Sequence, residues 1–88
     1  MSSNKLIIDV REPHEYQAGH AQDSINIPLN DLMADMPILK NTPLDRPIVV
    51  YCRTGNRSAQ AVNLLNQMGY MNVANGINTE QINKQYNA

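Results

Sequence analysis

Apolar residues along the 88-residue chain gather in two short unbroken runs and one helical stripe. Leu6, Ile7, Ile8 and Val10 dominate the stretch Lys5–Val10, and Ile48, Val49, Val50 and Tyr51 form a second, uncharged and largely β-branched run. A strand with one wet face alternates apolar and polar residues. Unbroken runs predict strands covered on both faces, as in a parallel sheet. Beyond the second run, Ala61, Val62, Leu65 and Met68 share one face at helical spacing, which predicts a helix over Ser58–Met68. Weaker signals fill the intervals. Ser24-Ile25-Asn26-Ile27 reads as a short strand ended by Pro28, and Met71–Ala74 as a last one. Glu12-Pro13 opens a short helix, because proline suits the first helical position, with Tyr16 turned inward and Gly19 as the stop. Asn30 or Asp31 is expected to cap a helix through Leu32 and Met33 toward Met36, which Pro37 ends. Asn41–Pro47 is a turn-rich connector. Gly69 is expected as a left-handed cap with Tyr70 folded back on the helix, Asn75-Gly76 as a turn, and Ile77–Tyr86 as a helix with Ile82 and Tyr86 inward. Strands interleaved with helices predict an α/β fold, an open parallel sheet flanked by helices.

The polar stretch between the second run and the helical stripe, Cys52-Arg53-Thr54-Gly55-Asn56-Arg57-Ser58, holds the candidate chemistry. Its cysteine falls at the carboxyl end of a strand and just ahead of a helix, the edge where open α/β sheets bind ligands. The first turn of a helix has free N–H groups and the positive end of the helix dipole. A loop that curls its own N–H groups inward adds a nest of donors, and Gly55 supplies a positive φ for the curl. Arg53 and Arg57 add positive charge. Together these favour thiolate, the nucleophilic form, over thiol. A buried structural cysteine, the commoner state of a free thiol, needs neither a glycine nor two arginines beside it. His14 and His20 are the available imidazoles for a general base. A thiolate made by loop and helix donors needs no base, and a histidine after a helix more often bonds a backbone carbonyl.

Composition narrows the classes. A single cysteine excludes an internal disulfide and a cysteine-cluster metal site. A chain of this length is expected to form one domain, burying roughly 60–65% of its unfolded surface. With no Trp and no Phe, aliphatic residues and four tyrosines do the packing. The net charge of −1 points to neither nucleic acid nor membrane, and no run approaches a membrane span. Residues 1–45 hold three basic and seven acidic side chains and residues 46–88 hold four and one, so the positive excess falls on the half with Cys52. No signal peptide is visible at Met1, so a cytoplasmic location is expected, or a periplasmic one if a leader was removed ahead of it. A monomer is the expectation for a small chain with no obvious apolar surface stripe. For the twelve asparagines the sequence offers no functional account.

The Cys52–Ser58 loop resembles the active-site loop of single-domain rhodaneses, sulfurtransferases that carry sulfur as a cysteine persulfide. Ile8-Asp9-Val10-Arg11-Glu12-Pro13-His14-Glu15-Tyr16 resembles that family's N-terminal signature. Gly19-His20 with Ser24-Ile25-Asn26-Ile27-Pro28-Leu29 resembles its second signature. Met68-Gly69-Tyr70 and Val73-Ala74-Asn75-Gly76-Ile77 resemble its closing segment. The resemblance implies a small rhodanese-like fold over residues 1–88. It also implies Cys52 as nucleophile, with Arg53, Thr54, Gly55, Asn56, Arg57 and Ser58 binding the substrate, and no metal or organic cofactor. It implies a small anionic sulfur donor such as thiosulfate, and a thiol or cyanide as acceptor, with a protein acceptor as a further option. In the family the Asp-x-Arg pair, here Asp9 and Arg11, ties a strand end to neighbouring loops.

The chain departs from the family at three places. Ala21, Gln22, Asp23 and Ser24 replace an aliphatic residue and a Gly-Ala pair. A second glycine beside Gly76 and a following Trp are absent, and the upstream edge strand and helix are expected to be missing or very short. A minimal version of the fold with modest stability is expected. Two other readings compete. Cysteine phosphatases place Arg six positions after the cysteine, where this chain has Ser58, with Arg57 one position earlier; the loop is one residue short for a tetrahedral phosphate. A persulfide or polysulfide carrier working with protein partners would use the same Cys52 chemistry with little thiosulfate turnover of its own.

Overall fold

The structure, a computed structural model, describes residues 5–34 and 42–86, apart from the side chains of residues 83, 85 and 86. In chain order the elements are β1 (Leu6–Asp9), α1 (Pro13–Ala18), β2 (Ile25–Asn26), α2 (Leu29–Met33), β3 (Ile48–Tyr51), α3 (Asn56–Gln67), β4 (Val73–Ile77) and α4 (Thr79–Tyr86). The four strands form one parallel sheet in the order β2-β1-β3-β4. The two unbroken apolar runs are its central strands, paired from Leu6–Ile48 to Asp9–Tyr51. Their alternate residues supply two cores. On one face Ile8, Val10, Ile48, Val50 and Cys52 pack with Leu32 of α2 and with Ala61 and Leu65 of α3. On the other, Ile7, Val49 and Tyr51 pack with Ala21 and with Ile82 of α4. Burial on both faces is why these strands carry no alternation.

The carboxyl end of β1 is tied down by a fully buried carboxylate. Asp9 accepts from the backbone N–H of Arg11 at 2.9 Å and from its guanidinium, Nη2 to Oδ2 at 2.7 Å. The same Nη2 reaches Gly19 O at 2.7 Å, so Asp9 and Arg11 brace β1 against the turn after α1. Tyr51 donates or accepts at Ser24 Oγ, 3.2 Å away, and accepts from the Ala21 N–H at 2.9 Å. That pair of bonds anchors the altered loop Ala21–Ser24 to the central strand.

Several boundaries differ from the sequence reading, each for a local reason. No residue of α1 is fully buried. Tyr16 is half-buried; its hydroxyl donates to Ser24 O at 2.6 Å and its ring stacks on His20 at 3.7 Å. α2 starts at Leu29, with Pro28 at the cap position, so Asn30 and Asp31 lie inside its first turn rather than capping it. The Leu29 N–H is spent on Val10 O and the Leu32 N–H returns to Pro28 O, which begins the helix early. The expected stop at Pro37, the reach to Met36 and the inward Tyr86 side chain lie outside the described residues. α3 begins at Asn56, two residues before the predicted start, and Met68 is its exposed cap residue rather than a core residue. Gly69, at φ +105°, and Tyr70 close α3 as expected, donating to Asn66 O and Leu65 O.

The largest departure concerns Asn75-Gly76, which is not a turn but part of β4. A Cβ on Gly76 would run into Ile82 Cδ1 and come within 2.9 Å of Val49 Cγ1, so glycine lets α4 lie close on the sheet. The turn comes later, at Ile77 with φ 73°, after an irregular step in the β3–β4 register. Asn78 then starts α4 by accepting the Gln81 N–H on its side-chain oxygen at 2.9 Å.

Candidate active site

Cys52 follows directly on β3 and is only 1% exposed. Its backbone N–H donates to Ile77 O at 3.1 Å, which pins it to the end of β4. The chain then curls back. Gly55 holds φ +94°, a left-handed conformation that L side chains adopt at a cost. The curl aims the Gly55 N–H at Cys52 Sγ, 3.1 Å away. Gly55 is also the cap position of α3 and offers no side-chain cap, so the first N–H groups of the helix are not claimed by one. Ser58, fully buried in the first turn of α3, brings its hydroxyl to 3.5 Å from the sulfur. Sequence spacing therefore translates into a cradle: strand end, inverted glycine, helix start.

The electrostatics follow from this geometry. Burial alone would push the Cys52 thiol up. The Ser58 hydroxyl and the backbone N–H groups of Ser58, Gly55 and Thr54 outweigh it and hold the thiol at about 7. Close to half of the sulfur is then thiolate at neutral pH.

The two arginines separate. Arg57 makes a two-pronged pair with Glu15 of α1, Nη1 to Oε1 at 2.9 Å and Nη2 to Oε2 at 3.2 Å. Glu15 also accepts the Glu12 N–H at 2.9 Å, and the two bonds hold its carboxyl at about 2. Arg53, Thr54 and Asn56 are exposed, and among the described residues Arg53 pairs with no acid. His20 Nδ1 lies 2.8 Å from Tyr16 O, the backbone bond expected of it. His14 is exposed on α1. Among the described residues no three His, Cys, Asp or Glu side chains come together as a metal site would require.

Three residues of the site escape a reading of the sequence alone. Glu15 looks like the second half of a helix capping box, which it also is. Asn75 sits in a dipeptide typical of turns, yet its side chain bonds Ser58 Oγ at 2.6 Å, Gly55 O at 3.1 Å and the Ile77 N–H at 2.9 Å. Ile77 supplies the carbonyl that holds the Cys52 N–H, and its Cγ2 lies 3.5 Å from where a Gly55 Cβ would stand.

Comparisons with known proteins identify the family and the fold. A family model described as Rhodanese-like domain matches residues 1–78. The chain is 41% identical over 68 residues to "Thiosulfate sulfurtransferase PspE" of Escherichia coli, covering 77% of this chain and 64% of that protein. It is 33% identical over 76 residues to "Adenylyltransferase and sulfurtransferase MOCS3" of Oryza sativa, covering 75% of this chain and 17% of that protein. Among solved structures, "rhodanese with anions from E. coli" superposes with a TM-score of 0.79 at 36% identity, over 89% of this chain and 91% of that one. The chain spans 52% to 64% of the length of the first four curated relatives it matches.

Proposed function

Because the chain belongs to the rhodanese-like domain family, we propose that it is a sulfurtransferase that passes a sulfane sulfur through a Cys52 persulfide. The observation that carries this reading is the Gly55 N–H held 3.1 Å from a buried sulfur whose thiol sits at about 7. In the first step the Cys52 thiolate attacks the outer sulfur of thiosulfate. A new S–S bond forms, the S–S bond of thiosulfate breaks, and its electron pair leaves with sulfite. In the second step a nucleophile such as cyanide or a thiolate attacks the terminal sulfur, and the electron pair of the broken bond returns to Cys52 Sγ. Neither step changes the total charge or needs an outside oxidant. One difficult transfer is split into two displacements. The loop N–H groups lie where negative charge resides on sulfur in both steps, as oxyanion-hole donors do.

Burial of Cys52 favours donors that present a slender terminal sulfur, as thiosulfate and persulfides do. Arg53, exposed and next to Cys52 in the chain, is the cation we assign to the sulfonate end. Intact mass after incubation with thiosulfate tests the proposal. A gain of one sulfur atom, about 32 Da, in the parent and none in Cys52→Ser is the expected result. Thiocyanate release from thiosulfate and cyanide should likewise fall to background in Cys52→Ser. No gain in mass with any sulfane donor would refute the reading.

One observation favours the carrier variant of the same chemistry. Arg57 is committed to Glu15, so one of the two guanidinium groups expected to hold a doubly charged donor is already neutralised. A donor or acceptor that is itself a protein persulfide needs less positive charge in the loop, and the sulfurtransferase relative of Oryza sativa carries its matching segment within a much longer protein. Rapid persulfidation by polysulfide together with a very high KM for thiosulfate would select the carrier variant.

A further inference from the structure

We propose that Asn75 is a positioning residue that decides where the single proton of the Ser58 hydroxyl points, and thereby how readily Cys52 ionises. The proposal rests on the reading of Cys52 as the reacting group, but its test does not use sulfur transfer.

Two backbone groups leave the Asn75 amide one orientation. The Ile77 N–H can only donate, and it lies 2.9 Å from Oδ1. The Gly55 carbonyl can only accept, and it lies 3.1 Å from Nδ2. A flipped amide would break both bonds. The atom that faces Ser58 at 2.6 Å is therefore Oδ1, a pure acceptor. A serine hydroxyl has one proton, so Ser58 donates it to Asn75 and turns lone pairs toward Cys52 Sγ, 3.5 Å away. That arrangement suits a thiol, whose S–H can donate to Ser58 Oγ. It opposes a thiolate, which meets lone pairs instead of a donor. The Ser58 hydroxyl lowers the thiol only in the orientation in which it donates to the sulfur, so to stabilise the thiolate, or the charged terminal sulfur of a persulfide, it must rotate away from Asn75. Asn75 thus competes with the sulfur for one proton.

The charged groups around the sulfur do not replace this control. Arg57, from α3, is the cation whose charge interacts with Cys52, and Glu15 of α1 is bound to it. Asp9 and Arg11 at the end of β1 pair with each other. β4 contributes the neutral Asn75 and Ile77 on this side. The loop itself does not depend on Asn75 alone, because the Ala59 N–H also holds Gly55 O, at 3.0 Å.

The rate of Cys52 alkylation by iodoacetamide, followed across neutral pH in the full chain, reads the ionisation directly. Asn75→Ala frees the Ser58 hydroxyl for the sulfur and should lower the midpoint by about half to one pH unit, the worth of one hydrogen bond. Ser58→Ala should raise it. The double variant should match Ser58→Ala, because without the hydroxyl Asn75 has nothing to direct. Asn75→Asp keeps the acceptor and adds a negative charge, so it should raise the midpoint; it also tests the idea should Asn75→Ala fail to fold. A midpoint unmoved or raised in Asn75→Ala overturns the proposal. So does a double variant displaced from Ser58→Ala by as much as the single change displaces the parent. An Asn75→Asp midpoint below that of the parent would do the same.

Discussion

Replacing Glu15 by Gln removes the charge that pins Arg57 while keeping nearly the same shape. The pair joins α1 to the first turn of α3, so its loss should loosen the docking of the Cys52 loop. Its magnitude can be worked from the structure. The Glu15 carboxyl is held at about 2, against an ordinary 4.5. At about 1.4 kcal/mol per pH unit, that difference sets an upper limit near 3 kcal/mol. The two side chains are 18% and 35% exposed, so solvent and salt screen the pair. Exposed pairs contribute up to about 1 kcal/mol, and two-pronged arginine–carboxylate geometry places this one at the upper end. About 1 kcal/mol is therefore expected, equivalent to a Tm lower by roughly 4–8 °C for a chain of this size.

The pH dependence has a definite sign. A carboxyl whose folded value is depressed contributes fully above its unfolded value of 4.5 and loses its contribution as pH falls toward about 2. Urea unfolding of parent and Glu15→Gln should differ at neutral pH, converge on acidification, and converge in high salt. Equal stability at neutral pH would refute the assignment. A gap that persists once the carboxylate is protonated would show that shape, not charge, carries the effect.

Other substitutions read the same site and its support. In the parent, Cys52 alkylation should rise with pH through a midpoint near the value of about 7 at which the loop holds the thiol, since the reactive thiolate lies above it. A midpoint at the ordinary cysteine value would contradict the loop electrostatics. Gly55→Ala puts a side chain at φ +94°, with no atom closer than 3.5 Å to the new Cβ, so the cost is conformational, about 1–2 kcal/mol. The variant should also raise the alkylation midpoint, because relaxing the curl turns the N–H from the sulfur; an unchanged midpoint would remove Gly55 from the cradle. Gly76→Ala drives a methyl into Ile82 and Val49 and should cost about 1–3 kcal/mol in urea unfolding, and a neutral result would contradict the close packing of α4.

The parts of the molecule legible in the sequence are those with local causes. Two unbroken apolar runs mark β1 and β3 because a strand buried on both faces needs nothing polar. A lone cysteine followed by a glycine and two arginines marks the loop. Gly69 and Tyr70 mark the end of α3 because a left-handed cap is a property of neighbouring residues. What stayed hidden depends on contacts between distant segments. Asn75-Gly76 has the composition of a turn, and only Ile82 and Val49 against Gly76 explain why it is strand. Glu15 satisfies its own helix, so nothing local points to Arg57, 42 residues later. Met68 continues the apolar stripe, but it is the cap residue past the end of the helix and lies exposed, while Ala61 and Leu65 of the same stripe are buried.

The register of the parallel sheet has a consequence for the newly made chain. The cradle needs β3 for Cys52, the start of α3 for Gly55 and Ser58, and the end of β4 for Asn75 and Ile77. Parallel neighbours are joined by long crossovers, so these pieces meet late in folding, after non-local strand pairing. Until then Cys52 is an ordinary thiol near 8.5, only about 3% thiolate at neutral pH. Once the loop and the first turn of α3 close on the end of β3, the thiol is lowered to about 7 and its reactive fraction rises by roughly tenfold. Under the proposed function an unfinished chain is thus a poor target for sulfur donors, and thiolate reactivity arrives together with the fold.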